Sequence, residues 1–146
     1  MAKINGNNDV YAAAVFLGGT CGDTTWRRDL IAMLDPEIPF FDPQLGPGEW
    51  NDEAAAAETA CKKEAKYQVY VIVEGNASPR SQFEAGHTAA KLGPRMIFAY
   101  LGDLSDKKDH LQKAIRADIG DMLEDGVIVC HSIEEVAAAL NAAYAK

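Results

Sequence analysis

Tyr67-Gln-Val-Tyr-Val-Ile-Val73 and, after a short polar linker, Ser78-Pro-Arg-Ser-Gln-Phe-Glu-Ala-Gly-His-Thr-Ala-Ala-Lys-Leu-Gly-Pro94 decide the reading of this chain. The first segment is apolar and β-branched, the pattern of a strand buried on both faces. The second begins with Ser-Pro, a side-chain cap followed by a residue preset for the first helical turn. Phe83, Ala85, Gly86, Ala89 and Ala90 offer a close-packing face, and Gly93-Pro94 ends the helix. A helix that follows a central strand starts at that strand's carboxyl end, where open α/β sheets bind ligands. Glu84 lies one to two turns in. A lone helical glutamate is usually a solvated surface residue, so its meaning depends on the rest of the chain.

Working outward, the same alternation recurs. Tyr11-Ala-Ala-Ala-Val-Phe-Leu17 reads as a buried first strand that runs into Gly18-Gly19 and the loop Thr20–Thr25. Asp23 or Thr24 is expected to cap a helix to about Leu34, with Trp26, Leu30, Ile31, Met33 and Leu34 on its apolar side. Ile38–Phe41 reads as a short second strand, followed by Asp42-Pro43 and a loop holding Gly46-Pro-Gly-Glu-Trp50. Asn51 or Asp52 caps an alanine-rich helix to about Lys66. Beyond the central strand and the Glu84 helix, Arg95–Leu101 is a fourth strand, and Asp106–Leu123 fits an amphipathic helix. Val127–Cys130 is a fifth strand, and Ser132 caps a last helix to Ala145 with Ile133, Val136 and Leu140 inward.

Five β–α alternations predict a parallel sheet covered on both faces by helices, with right-handed crossovers. The expectation is a flavodoxin/Rossmann-like three-layer α/β sandwich, probable strand order 2-1-3-4-5, with a crevice between strands one and three. A chain of 146 residues with 48% hydrophobic content is read as a single domain over 1–146, residues 1–9 forming a mobile leader. A net charge of −8 excludes a general binder of nucleic-acid polymers, which needs clustered Lys and Arg. Membrane-span and signal-peptide patterns are absent, and the three widely spaced cysteines suit reduced thiols, so a cytoplasmic protein is expected.

Familiar site motifs are missing. Gly18-Gly-Thr-Cys-Gly22 has neither dinucleotide-fold glycine spacing nor a P-loop ending. His87, His110 and His131 have no metal-ligand spacing, so no metal and no cofactor is expected. Cys21 precedes a helix start, where a thiolate is favoured, but it has no nearby histidine partner. What remains is a glycine loop, a group of hydroxyls and one carboxylate at the mouth of the central strand. That set suits a small polar ligand, with Glu84 able to attack a sugar's anomeric carbon and form a glycosyl–enzyme ester.

Val15-Phe-Leu-Gly-Gly-Thr-Cys-Gly-Asp-Thr-Thr-Trp-Arg27, Phe40-Phe-Asp-Pro43, Tyr67–Ile72 and Phe83-Glu-Ala-Gly86 resemble the nucleoside 2-deoxyribosyltransferase-like family over about residues 13–101. The resemblance implies cleavage of the N-glycosidic bond of 2′-deoxynucleosides, with transfer of the sugar to another base or to water. It implies Glu84 as nucleophile, a nucleoside or nucleotide as ligand, and a homodimer or larger homo-oligomer. Gly18, Gly19, Thr20, Asp23, Trp26, Asp42, Ser78 and Ser81 are the expected substrate contacts. Trp26 has packing, and Asp42 an Asp-Pro turn, as the ordinary alternatives. Arg27 is read as either a surface residue or an anion ligand.

Two positions depart from the family pattern. Transferases usually carry aspartate where this chain has Ser78. The related 2′-deoxynucleoside 5′-monophosphate N-hydrolases have a phosphate-binding serine there, and a helix start with Ser78, Arg80 and Ser81 suits an anion. Lys66 stands where relatives place an aspartate thought to help protonate the base; its plain reading is a solvated helix-end cation. The alternatives are therefore a monophosphate hydrolase and a nucleotide-binding or sensing module without turnover. A structural interaction domain would leave the glycine loop unexplained.

Overall fold

A computed structural model describes residues 8–44, 48–75 and 79–146. Five strands, β1 (Val15–Gly19), β2 (Phe40–Phe41), β3 (Tyr67–Val73), β4 (Met96–Leu101) and β5 (Ile128–Cys130), form one parallel sheet in the order β2-β1-β3-β4-β5. Six α-helices connect and cover it: α1 (Asn8–Ala13), α2 (Trp26–Met33), α3 (Asp52–Glu64), α4 (Pro79–Leu92), α5 (His110–Glu124) and α6 (Ile133–Tyr144). The α/β class and the strand order are those expected from the sequence.

Strand periodicity sorts the core into two layers. Val15, Leu17, Val69, Val71, Ile97 and Ala99 face Trp26 and Leu30 of α2 and Val136 and Leu140 of α6. Phe16, Tyr70, Ile72, Phe98 and Tyr100 face Tyr11 of α1, Cys61 of α3, Ala85 and Ala89 of α4, and Ile115 and Met122 of α5. The Glu84 helix thus shares a face of the sheet with α3.

Several boundaries differ from the sequence reading. Tyr11–Ala13 are helical and the first strand begins only at Val15, because an alanine-rich apolar run fits either period and alanine favours helix. Thr25, not Asp23 or Thr24, precedes α2, and its hydroxyl donates to Asp29 Oδ2 (2.8 Å). Asp106 makes a turn, accepting from the Lys108 amide, so α5 starts later, capped by Asp109. Asn51 and Ser132 cap α3 and α6, accepting from the Ala54 and Glu135 amides. On α4 the buried residues are Ala85, Thr88 and Ala89, while Phe83 is 80% exposed and Gly86 and Ala90 are also exposed. The larger residues therefore point away from the sheet, and the small ones let the helix approach it. Residues 1–7 of the expected leader, 45–47 of the Gly-Pro-Gly loop, and Ser78 lie outside the described residues.

Gly19 ends β1 at φ +113°, with the position of an added Cβ only 2.2 Å from the Val71 carbonyl oxygen. Alanine at 19 meets both a backbone clash and a left-handed backbone, so Gly19→Ala should cost about 3 kcal/mol or more in urea unfolding. Gly120, in α5 with open space around its Cβ position, is the control. Gly120→Ala should stabilise by about 0.5–1 kcal/mol. Equal effects at both positions would contradict this account of the β1–β3 contact.

Candidate active site

At the carboxyl edge, the end of β1 is held by Arg27 rather than by its own loop. The Arg27 side chain is 3% exposed. Its Nε donates to the Leu17 carbonyl (3.0 Å), Nη2 to the Gly19 carbonyl (3.2 Å) and Nη1 to the Thr20 carbonyl (2.9 Å). Nη1 also reaches Gln44 Oε1 (3.2 Å), and Asp42 Oδ1 lies 3.7 Å from Nε. Burial pulls the guanidinium below its ordinary value, against the raising effects of Cys21 and Asp42; arginine still stays protonated. The sequence left Arg27 as surface residue or anion ligand, and it is a buried brace. Its planar fork spreads five donors over three nitrogens, so it reaches three carbonyls and Gln44 at once, whereas the compact ammonium of lysine has three donors on one atom.

The residues expected to contact substrate on this side also hold the loop in place. Trp26 is buried and its indole N–H donates to the Thr20 carbonyl (2.9 Å), with the Arg27 guanidinium 4.3 Å from its ring centroid. The fully buried Thr20 accepts from the Val73 amide at its hydroxyl (3.0 Å), and its own amide donates to Val71 (2.9 Å). Gly18 and Gly19 are buried against Tyr70 and Val71. Asp42 accepts from the Gln44 amide (2.9 Å), the Asx turn its Asp-Pro sequence suggests. Asp23 is exposed in the loop, and Ser81 is half-buried in the first turn of α4.

Glu84 sits in the second turn of α4, its side chain 26% exposed. Oε1 is 3.0 Å from Arg80 Nε and Oε2 is 3.5 Å from Lys62 Nζ. Lys62 comes from α3, where it also meets Glu58 Oε1 at 3.0 Å. Lying 3.0 and 3.5 Å from one nitrogen, the Glu58 and Glu84 oxygens are within 6.5 Å of each other. Burial lowers the Lys62 pKa, but the hydrogen bond and charge of Glu58, with Tyr70 and Glu84, outweigh it and leave it raised.

A buried polar chain fixes α3 against α4 beneath this cluster. Thr88 of α4 donates to the Tyr70 hydroxyl (3.3 Å), and Tyr70 donates to Gln68 Oε1 (3.1 Å). Gln68 Nε2 then donates to the Lys62 carbonyl (2.8 Å). Sequence reasoning missed Glu58 and Lys62, since their i, i+4 spacing is that of any surface ion pair. Lys66 stands apart at the amino end of β3, its Nζ 4.7 Å from the Tyr144 ring centroid. Tyr144 belongs to the α2/α6 face of the sheet and α4 to the other, which fits the plain reading of Lys66. A cavity of about 610 Å³ runs along the other flank of α4, between Phe83, Gly86 and His87 on one side and Asp118 and Asp121 of α5 with Asp125 just after it on the other. The Glu58–Lys62–Glu84 cluster does not line it.

Residues 12–102 match the family described as nucleoside 2-deoxyribosyltransferase like. The chain belongs to this family. The matched segment spans β1 through β4, and so contains Arg27, Glu58, Lys62 and Glu84. Comparison with curated proteins gave no match. No helix among the described residues is long and apolar enough to cross a membrane.

The burial of Arg27, Cys61 and Cys130 and the exposure of Cys21 can each be tested. Arg27→Met removes the donors of three carbonyls and should cost about 3–5 kcal/mol in urea unfolding; a loss under about 1 kcal/mol would contradict the bracing role. Burial pushes the Cys61 thiol from its ordinary value up to about 12, helped by Glu64 and Glu58. A folded pKa above the unfolded one stabilises the native state fully below pH about 9, and that stability is lost as pH rises towards about 12. Denaturant midpoints should therefore fall across that window. At pH 8, mass spectrometry after brief treatment with a thiol reagent should find exposed Cys21 modified and buried Cys61 and Cys130 intact.

Proposed function

We propose that the chain cleaves the N-glycosidic bond of a 2′-deoxynucleoside and transfers the deoxyribosyl group to another base or to water. The observation that carries this reading is the pair of carboxylates, Glu84 and Glu58, gathered by Lys62 between α3 and α4. Glycosyl transfer with a covalent intermediate needs a nucleophilic carboxylate and a second carboxyl group about 5–5.5 Å away. The 6.5 Å upper bound accommodates that spacing.

Glu84, ionised, attacks the anomeric carbon as the C–N bond breaks. The electron pair of that bond goes to the base, whose nitrogen takes a proton from Glu58. In the second half, Glu58 removes a proton from the incoming base or water, which displaces Glu84 from the sugar. Glu58 thus supplies the acid–base function that the Lys66 position lacks. The loop braced by Arg27 forms the opposing wall, with Gly18, Gly19, Thr20, Trp26 and Asp42 shaping it and Asp23 and Ser81 open to ligand.

A 5′-monophosphate as substrate is the second reading. Arg80, 81% exposed at the start of α4, favours it, since its guanidinium is free to turn from Glu84 to a phosphate. Copies of the chain are proposed to associate through the outward stripe Pro79, Phe83, Gly86 and Ala90 of α4, whose exposed aromatic is out of place on a monomer's surface.

Chromatography of free bases after incubation with deoxynucleosides and their monophosphates, with and without a second base, tests the reaction. Wild type should release or exchange base, Glu84→Ala should not, and Glu58→Gln should be slower by about 10²–10⁴-fold. Equal rates in Glu84→Ala and wild type would overturn the reading. Tight nucleotide binding without any base release would select the sensing module.

A further inference from the structure

The lysine between the two carboxylates has no part in bond making, yet every element around the site converges on it. Its α3 backbone is tied through Gln68 and Tyr70 to Thr88 of α4. Its stem lies over Phe16 of β1, with Nζ 5.2 Å from the ring centroid. Its side chain is 27% exposed, so its charge is only partly screened by water. Facing it are Glu58 from its own helix, Glu84 from α4 and the Tyr70 hydroxyl from β3, while Arg80 sits on the far oxygen of Glu84.

We propose that Lys62 is a positioning residue that sets the protonation of the Glu58–Glu84 pair and follows the negative charge from one carboxylate to the other during the reaction. The inference rests on the glycosyl-transfer reading and adds a role for a residue outside it. In the proposed reaction the negative charge starts on Glu84, and Glu58 brings the proton that the base takes. When the C–N bond breaks and the ester forms, Glu84 becomes neutral and Glu58, having given its proton to the base, becomes the anion. One negative charge is present at both stages, and it has moved from one neighbour of Lys62 to the other. At 3.5 and 3.0 Å, Lys62 can stabilise either anion without the cation having to cross the site.

Arg80 cannot do the same, because among the described residues its ion pair is with Glu84 and not Glu58, and it is largely in solvent. Without a cation between them, the first carboxylate to ionise disfavours ionisation of the second, raising the pH at which it occurs. Removing the lysine should therefore shift both carboxyl groups upward.

The test uses Lys62→Met, which keeps the stem, and Lys62→Arg, which keeps the charge. Carbon NMR of the glutamate carboxyl groups, titrated in each protein without substrate, should show the Glu58 and Glu84 midpoints rising on the order of one unit in Lys62→Met. Lys62→Arg should return them towards wild type. The pH profile of kcat/KM should move to higher pH in Lys62→Met by a similar amount, with kcat reduced. Unchanged carboxyl midpoints in a folded Lys62→Met would overturn the inference, as would a rate loss with no movement of the pH profile. Shifted midpoints together with a wild type that releases no base would uphold the coupling and count against the glycosyl-transfer reading instead.

Discussion

Arg27 is the constraint on which the carboxyl edge depends. Where β1 stops, the carbonyls of Leu17, Gly19 and Thr20 turn towards one place, and the buried guanidinium answers all three. Unpaired, they would each carry the desolvation cost of a buried acceptor, about 1–3 kcal/mol. The same loop is pinned to β3 by Thr20, whose amide and hydroxyl meet Val71 and Val73. It is joined to the exit from β2 through Gln44, which takes a bond from Arg27 and gives one to the Gly22 carbonyl. The loop after β1 is therefore held firmly against both β3 and the exit from β2.

A second buried chain, from Thr88 through Tyr70 and Gln68 to the Lys62 carbonyl, does for the α3–α4 side what Arg27 does for β1. Its members are neutral, so they are satisfied at little cost, whereas the charged groups they position remain partly solvated. The division is chemically sensible. In the proposed reaction the carboxylates that gain and lose protons stay near water, while the hydrogen bonds that fix their helices are left unchanged.

The fold was legible because its signals are local and periodic. Alternating strand faces, Asn51 and Ser132 as caps, and the glycines after Leu17 each act within a few residues. Glu84 stood out because its helix follows the central strand. Arg27 was not legible as a brace, since arginine is exposed by default and its carbonyl partners lie up to ten residues away in sequence. Glu58 and Lys62 looked like a solvated pair on an alanine-rich helix, and only the packing of α3 beside α4 brings Glu84 to them. Phe83 was expected to pack inward for its hydrophobicity, but α4 meets the sheet through alanines, and a large side chain would hold it off.

In the proposed reaction Glu84 forms a covalent ester with the sugar, and Glu58 and Lys62 manage the proton and the charge around it. Rapid acid quench of the protein during reaction with a 2′-deoxynucleoside, followed by peptide mass spectrometry, tests that claim most directly. The account predicts that the peptide bearing Glu84 gains the mass of one deoxyribosyl group, and that fragmentation puts it on Glu84. Base release with the Glu84 peptide unmodified at every quench time, or with the sugar on another residue, would contradict it.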